Sequence, residues 1–169
     1  YIDQNETSRV IVKSLEGRHE ILNLEKEELD FSFNPFYLPD TDENHQFLKE
    51  WLLLLLFPEA SHTDEQQKII YAAVDKFITK MPVGSRQISM LEDLFEDKTI
   101  KDNLALWCRP NKLGMLFDNP MDEFESSPKI IGFNVKALYN TPNALKALMF
   151  YCLHQYSNLQ NSPPAIIAI

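Results

Sequence analysis

The last residues of the chain constrain its fold more than any other stretch. Pro163 and Pro164 end a helical pattern, and the apolar run 165–169 follows them. A run this short and this apolar is typical of a strand buried on both faces, as in the middle of a parallel sheet. Ligands of α/β proteins bind just beyond the carboxyl ends of such strands. Because the sequence stops at Ile169, we expect a piece of a larger enzyme without a complete active site.

Two strand–helix–strand patterns predict an α/β fold. The first combines the end of a strand at 1–3, a helix over 8–16 and a strand over 19–24. The second combines a strand over 129–135, a helix that opens at Thr141-Pro142, and the final run. A capping Thr followed by Pro at the first helical position is a strong helix start. Parallel strands joined through helices are the expected result.

The first predicted helix has its apolar residues on one face. Val10, Ile11 and Leu15 fit one side of a helix over 8–16. Gly17 is placed to follow the helix end, where glycine commonly adopts the left-handed conformation.

The middle of the chain, 41–107, predicts several helices and no strand. Acidic residues follow Pro39 at the start of the first helix, which Pro58 ends. Capping boxes are predicted at 63–66 and 89–92, and Thr99 is predicted to open a further helix. We therefore expect an inserted helical subdomain over 38–120, between α/β core segments over 1–37 and 121–169.

An aromatic loop precedes these helices. Phe31, Phe33 and Phe36 lie around the turn-forming pair Asn34-Pro35. Three phenylalanines in one loop favour packing against a core. A platform for a nucleotide base is the alternative.

Composition and charge narrow the classes of function that this chain can have. The net charge is −9, and no two Lys or Arg residues are adjacent. This disfavours nucleic-acid binding through this surface, because phosphate contacts need clustered cations. The longest apolar run, 51–57, is far shorter than the ~20 residues of a membrane span. Cys108 and Cys152 lie in or beside helical patterns and are expected to be buried thiols.

Catalytic and ligand-binding motifs are not found in the sequence. The four glycines, Gly17, Gly84, Gly114 and Gly132, are not spaced as a phosphate-binding loop requires. Asp42 and His45 could share a metal on one helix, but no second pair of ligands follows them. No serine or cysteine has the context of a nucleophile, so we predict no catalytic, nucleotide-binding or metal site.

Arg109 and Asp118 remain as candidates, because both lie in a turn-rich segment between apolar neighbours. A local ion pair is one interpretation. An inter-subunit or nucleotide-sensing arginine is the other.

Several motifs together resemble one family, the large ATPase of type IV secretion and conjugal transfer systems (the VirB class, also called CagE/TrbE-type). The motifs agree with the family in order and spacing, and they cover most of the chain. They are Phe-Asn-Pro-Phe at 33–36, Leu-Pro-Asp-Thr at 38–41, Glu-Asn at 43–44, Phe-Leu at 47–48, Trp-Leu at 51–52, Trp107, Leu-Gly at 113–114, Leu-Phe-Asp-Asn-Pro at 116–120, Ile-Gly-Phe at 131–133, and the final strand 164–169. The chain departs from the family at 109–112, where Arg-Pro-Asn-Lys replaces a glycine-rich link.

The resemblance implies a partial RecA-like, P-loop NTPase core with an inserted helical subdomain. It implies ATP and Mg²⁺ as ligands of the parent protein, other secretion-system subunits as partners, and self-association as a hexamer or dimer. It also implies a place at the cytoplasmic face of the bacterial inner membrane, where the parent would energise pilus assembly and substrate translocation. The chain would begin after the Walker A loop and end before the Walker B acids, so this segment alone would be inactive and bind no cofactor. The alternative is a non-enzymatic helical interaction module on an α/β base.

Overall fold

The computed structural model describes residues 2–3, 7–124 and 130–158. The chain divides into two compact units. The first, here called the sheet unit, consists of Tyr1–Phe31 and Glu123–Ile169, and the second, the helical unit, of Ser32–Asp122. The predicted strand 165–169 lies outside the described residues, and the predicted domain boundaries stay a prediction.

The described residues of the sheet unit form a parallel sheet of three strands. The strands are β1 (Ile2–Asp3), β2 (Arg18–Ile21) and β3 (Ile131–Asn134), in the order β1-β3-β2. Helix α1 (Thr7–Ser14) connects β1 to β2, so the predicted strand–helix–strand unit is present. Its two strands do not pair directly, because β3 lies between them. This arrangement confirms the α/β class.

Among the described residues of the sheet unit, two helices follow β3. They are a 3₁₀ helix, Lys136–Leu138, and an α-helix, Pro142–Asn158. The helix predicted after Thr141-Pro142 is therefore present.

The apolar residues of helix α1 differ in burial. Val12 is fully buried, whereas Val10, Ile11 and Leu15 are 75%, 46% and 53% exposed. The three apolar residues do share a side, but it is the solvent side of the described structure. Apolar spacing therefore defines a face of this helix without saying what covers it.

Gly17 has a different role from the one expected. Glu16, not Gly17, adopts the left-handed conformation, with φ of 57°. A Cβ on Gly17 would lie 2.8 Å from side-chain atoms of both Val12 and Ile130. Close packing, rather than backbone conformation, therefore requires a glycine here.

The helical unit contains no strand, and all of its residues are described. Its α-helices are α2 (Asp42–Leu56), α3 (Asp64–Lys80), α4 (Lys98–Ala105) and α5 (Gly114–Phe117). Its 3₁₀ helices are Pro35–Tyr37, Val83–Ser85 and Ile88–Leu94. The helix Pro142–Asn158 of the sheet unit is accordingly α6.

The starts of α2 and α3 follow local sequence rules. Thr41 caps α2, and its hydroxyl oxygen accepts a hydrogen bond from the Asn44 amide at 3.2 Å. The predicted capping box at α3 is confirmed, because Thr63 and Gln66 each accept a hydrogen bond from the other's amide. Such caps satisfy amides that have no partner within the helix.

Two other predicted helix starts were wrong. Ser89 caps no helix, and it lies inside the 3₁₀ helix Ile88–Leu94. Helix α4 begins not at Thr99 but after Asp97, whose carboxylate accepts a hydrogen bond from the Ile100 amide at 2.9 Å. Both Thr and Asp can cap a helix, and here the earlier residue does so.

The aromatic loop packs in both units. Phe31 meets Phe133 edge to face in the sheet unit, with ring centroids 5.2 Å apart. In the helical unit, Phe36 meets Phe77 at 5.5 Å, and Phe33 lies against Phe117 at 6.3 Å. The three phenylalanines are at most 1% exposed, which confirms core packing and leaves no open ring face for a nucleotide base.

Gly114 lies against the main chain at the start of α5. A Cβ built there would lie 2.5 Å from the carbonyl carbon of Cys108 and 2.6 Å from the nitrogen of Arg109. These contacts are with backbone atoms, which cannot swing aside as a flexible side chain can.

We expect the substitution Gly114→Ala to lower the free energy of unfolding by roughly 1–3 kcal/mol, the usual cost of overpacking. Gly84→Ala is the matched control, since no atom lies within 4 Å of its added Cβ. The control should change stability by at most about 1 kcal/mol. Urea denaturation followed by circular dichroism measures both values, and equal effects would contradict the packing argument.

Candidate functional site

Two Asn-Pro pairs form a reciprocal contact in the core of the helical unit. The Asn34 side-chain amide donates to the main-chain oxygen of Asn119 at 2.7 Å. The Asn119 amide donates in return to the main-chain oxygen of Phe33 at 3.0 Å. Asn34 and Asn119 are 0% and 2% exposed. We call this pair the asparagine clasp.

Each asparagine of the clasp also holds further main-chain groups. Asn34 donates to the Arg86 carbonyl oxygen and accepts from the Phe36 amide. Asn119 donates to the carbonyl oxygens of Met115 and Leu116, at the end of α5. The clasp therefore ties three separate loops together through groups that would otherwise be buried without partners.

Arg109 and Asp118, the two candidate interface or sensing residues, lie together next to the clasp. The Arg109 main-chain amide donates to Asp118 Oδ2 at 2.9 Å. The guanidinium donates to the Asp118 carbonyl oxygen at 3.3 Å and to Asn119 Oδ1 at 2.8 Å. Among the described residues, no ion pair joins the guanidinium to the Asp118 carboxylate. The local association is present, but main-chain groups mediate it.

The Asp118 carboxylate is a buried anchor for two segments. It is 2% exposed, and its Oδ1 accepts hydrogen bonds from both the amide and the hydroxyl of Ser89, at 3.0 and 2.9 Å. Ser89, predicted as a helix cap, uses its hydroxyl here instead. Asp118 thus holds the 3₁₀ helix Ile88–Leu94 beside the segment that carries Arg109.

The thiol of Cys108, the residue before Arg109, is held in an unreactive form. Burial raises the pKa of its thiol to about 12, and the negative charges of Asp118 and Glu92 add to the effect. The thiol donates to the Leu104 carbonyl oxygen at 3.3 Å. Thiolate is the reactive form of cysteine, so this residue is unsuited to nucleophilic chemistry. Cys152 is half-buried, and no disulfide is present in the part of the chain that is described.

Arg86 forms the second polar centre of the helical unit. It is 1% exposed and binds the Asp40 carboxylate through both terminal nitrogens, at 2.7 and 3.0 Å. The same guanidinium donates to the carbonyl oxygens of Ile78 and Met81 at the end of α3. Arg86 therefore joins the last turn of α3 to the residue that precedes the α2 cap, with the bidentate geometry that only arginine provides.

Neither Arg86 nor the clasp was predicted from the sequence. The Asn-Pro pair was recognised only as a turn signal at 34–35. Its repetition at 119–120 was the available hint, since asparagine can serve as both donor and acceptor. Arg86, between Ser85 and Gln87, has no local signal, because its partners are distant in sequence.

The described residues hold no group of three or more His, Cys, Asp or Glu side chains placed to bind a metal ion. Of the pair considered in the sequence, His45 contacts Asp40 at 3.3 Å instead of forming a site with Asp42. Within those same ranges, no helix has the length and apolar character to cross a membrane. The hydrogen bonds of this site hold main-chain segments of the helical unit in place.

Comparisons with known proteins identify relatives, although no protein-family model matches the chain. Type IV secretion system protein virB4 of Bartonella henselae is 30% identical over 134 residues, which are 76% of this chain and 17% of that protein. Type IV secretion system protein PtlC of Bordetella pertussis is 26% identical over 167 residues, 92% of this chain and 20% of that protein. Protein virB4 of Agrobacterium fabrum is 27% identical over 123 residues, 70% of this chain and 16% of that protein.

The matched residues are therefore homologous to a segment of the VirB4 and PtlC proteins, which confirms the resemblance found in the sequence. The chain spans a fifth or less of the length of these relatives.

We expect Asn119→Ala to lower the free energy of unfolding by roughly 2–3 kcal/mol, because three buried carbonyl oxygens lose their donor. Asn111→Ala is the matched control. Its amide also bonds a carbonyl oxygen, that of Ala105, but at an exposed position. The control should cost less than about 1 kcal/mol in urea denaturation. A similar loss in both variants would refute the importance of the clasp.

The Asp40–Arg86 pair predicts a specific pH dependence. The Arg86 hydrogen bonds, and secondarily the contact with His45, hold the pKa of Asp40 below its ordinary value, and partial burial opposes them. A lowered folded-state pKa contributes stability that is present above the unfolded pKa of about 3.9 and is lost as the pH falls through the folded value.

Asp40→Asn should therefore differ from the unchanged chain in free energy of unfolding by a constant amount above about pH 5. The difference should shrink progressively as the pH falls below about 4. Urea denaturation at a series of pH values measures it. A difference that does not change across this range would argue against the pair.

Proposed function

We propose that this chain, through its homology to VirB4 and PtlC proteins, is a structural segment of a type IV secretion ATPase. In this role the chain supplies part of a RecA-like core together with an inserted helical subdomain. The parent protein binds ATP and Mg²⁺ and uses hydrolysis to energise pilus assembly and substrate translocation. The residues that perform hydrolysis lie outside this chain.

The observation that carries this proposal is the extent of the homology. The match to PtlC covers 92% of the chain, and the relatives are named as type IV secretion system proteins. The parallel sheet with β3 at its centre supports it, because open parallel sheets bind their ligands at the carboxyl ends of the strands.

The cellular location and the oligomeric assembly of the parent protein follow from the same proposal. It would lie at the cytoplasmic face of the bacterial inner membrane, as a hexamer or dimer among other secretion-system subunits. Within it, we assign Arg109 to a contact with a neighbouring subunit. Asp118 is assigned the role of positioning Arg109, since its carboxylate accepts hydrogen bonds from the main-chain amides of Arg109 and Ser89.

A second candidate is a non-enzymatic interaction module, and one observation favours it. The helical unit has its own aromatic core and its own polar centres, as expected for a part that folds and binds independently. The residues encoded on either side of this chain distinguish the two proposals. A Walker A loop upstream and Walker B acids after Ile169 support the ATPase, and their absence supports the module.

Calorimetric titration with ATP and Mg²⁺ tests the assignment directly. The isolated 169-residue chain, shown to be folded by circular dichroism, should give no saturable binding and no ATP hydrolysis above background. The complete polypeptide that carries this chain should do both. Saturable binding by the isolated chain would overturn the scaffold role, and an inactive complete polypeptide would overturn the ATPase proposal.

A further inference from the structure

Arg18 contacts both segments at which the chain crosses between its two units. The chain leaves the sheet unit after Phe31 and returns to it at Glu123. The Arg18 guanidinium lies over the Phe31 ring, 4.8 Å from the centroid, and donates to the Asp30 carbonyl oxygen at 3.0 Å. It also pairs with the Glu123 carboxylate at 3.5 Å. We call residues 30–31 the exit segment and residues 123–124 the return segment, and all of these contacts lie within the sheet unit.

Strand β2 holds this guanidinium in place. The Arg18 main-chain amide donates to the Ile130 carbonyl oxygen at 3.0 Å, and Arg18 Nε donates to Glu20 Oε1 at 2.5 Å. Arg18 and Glu20 are two residues apart in a strand, so their side chains share one face of the sheet. Because a guanidinium is planar and rigid, the bond to Glu20 also sets the direction in which the other two nitrogens point.

Phe133 on β3 adds an apolar contact to the same two segments. Its ring meets Phe31 edge to face, with centroids 5.2 Å apart, and lies 6.2 Å from the Phe124 ring. Phe133 is paired in register with Glu20, so it lies on the sheet face that carries Arg18. One face of β2 and β3 therefore contacts both segments, through one cation and one aromatic ring.

The ionic part of this arrangement is open to solvent. The Arg18 and Glu123 side chains are each 33% exposed, so dissolved ions weaken their attraction. The sheet has its own support, because β3 pairs with both β1 and β2. Release of the two segments from Arg18 therefore leaves the strands paired.

We propose that Arg18 is a latch that makes the exit and return segments open and close as one cooperative unit. Both segments bind the same rigid guanidinium, so a rotation that breaks one contact also breaks the other. The latch thus sets how firmly the two crossing segments are attached to β2 while the sheet stays folded. Local openings of this kind provide the elements that move in conformational changes. This inference goes beyond the proposed function and does not depend on it.

Hydrogen exchange followed by mass spectrometry tests the latch on the 169-residue chain without nucleotide. Arg18→Gln should raise the exchange rates of both segments about tenfold, the combined effect of losing an exposed ion pair and a cation–π contact. Peptides from α2 and α3 should keep their rates, because the helical unit stays folded. Faster exchange in only one segment, or an equal increase throughout the chain, would overturn the proposal.

Glu123→Gln separates a latch from a simple packing role. It should speed exchange in the exit segment as well, although Glu123 belongs to the return segment. In a chain that already carries Arg18→Gln, it should have no further effect on the exit segment. An effect of Glu123→Gln confined to the return segment would contradict the latch.

A salt series and a matched control complete the test. Raising the ionic strength from about 0.1 M to about 1 M should open both segments of the unchanged chain and have little effect on Arg18→Gln. Lys26→Gln removes a neighbouring cation that binds the Asp30 carboxylate, and it should leave the return segment unchanged. If Arg18→Gln fails to fold, Glu123→Gln and the salt series on the unchanged chain decide the question, and a response of one segment without the other refutes the latch.

Discussion

The asparagine clasp is the interaction on which the helical unit depends. The unit is rich in turns and short 3₁₀ helices, and these leave many main-chain groups without partners inside a regular element. Asn34 and Asn119 supply those partners from within the core, at less than 3% exposure. Because each amide bonds the other's segment, neither can be removed without leaving buried oxygens unsatisfied. Arg109 then orients Asn119 from the surface side.

The parts of the fold that follow local rules were predictable from the sequence. Helices α2 and α3 have apolar spacing and caps within four residues, so the sequence shows both their existence and their starts. The strand–helix–strand order was likewise visible, and it led to the α/β class. The homology to secretion proteins was visible only in the ordered set of short motifs, since each one alone is weak.

The remaining features depend on contacts between distant residues. Arg86 meets Asp40 from 46 positions away, and Asn34 meets Asn119 from 85. No local pattern indicates such partners. Ser89 is another residue whose partner is distant in sequence. Its spacing with Glu92 predicted a helix cap, but its hydroxyl donates to the Asp118 carboxylate, which the fold brings close. Within the candidate site, the proximity of Arg109 and Asp118 was predictable from the sequence, whereas the asparagine clasp was not.

The bond between Asn119 and the Phe33 carbonyl oxygen has a topological consequence. It holds the first and last few residues of the helical unit side by side, although 86 positions separate them. A host chain that receives such an insert needs only a narrow gap in one of its loops, and its own strands need not move. A single pair of neighbouring junctions is therefore enough to connect this unit to the rest of a chain.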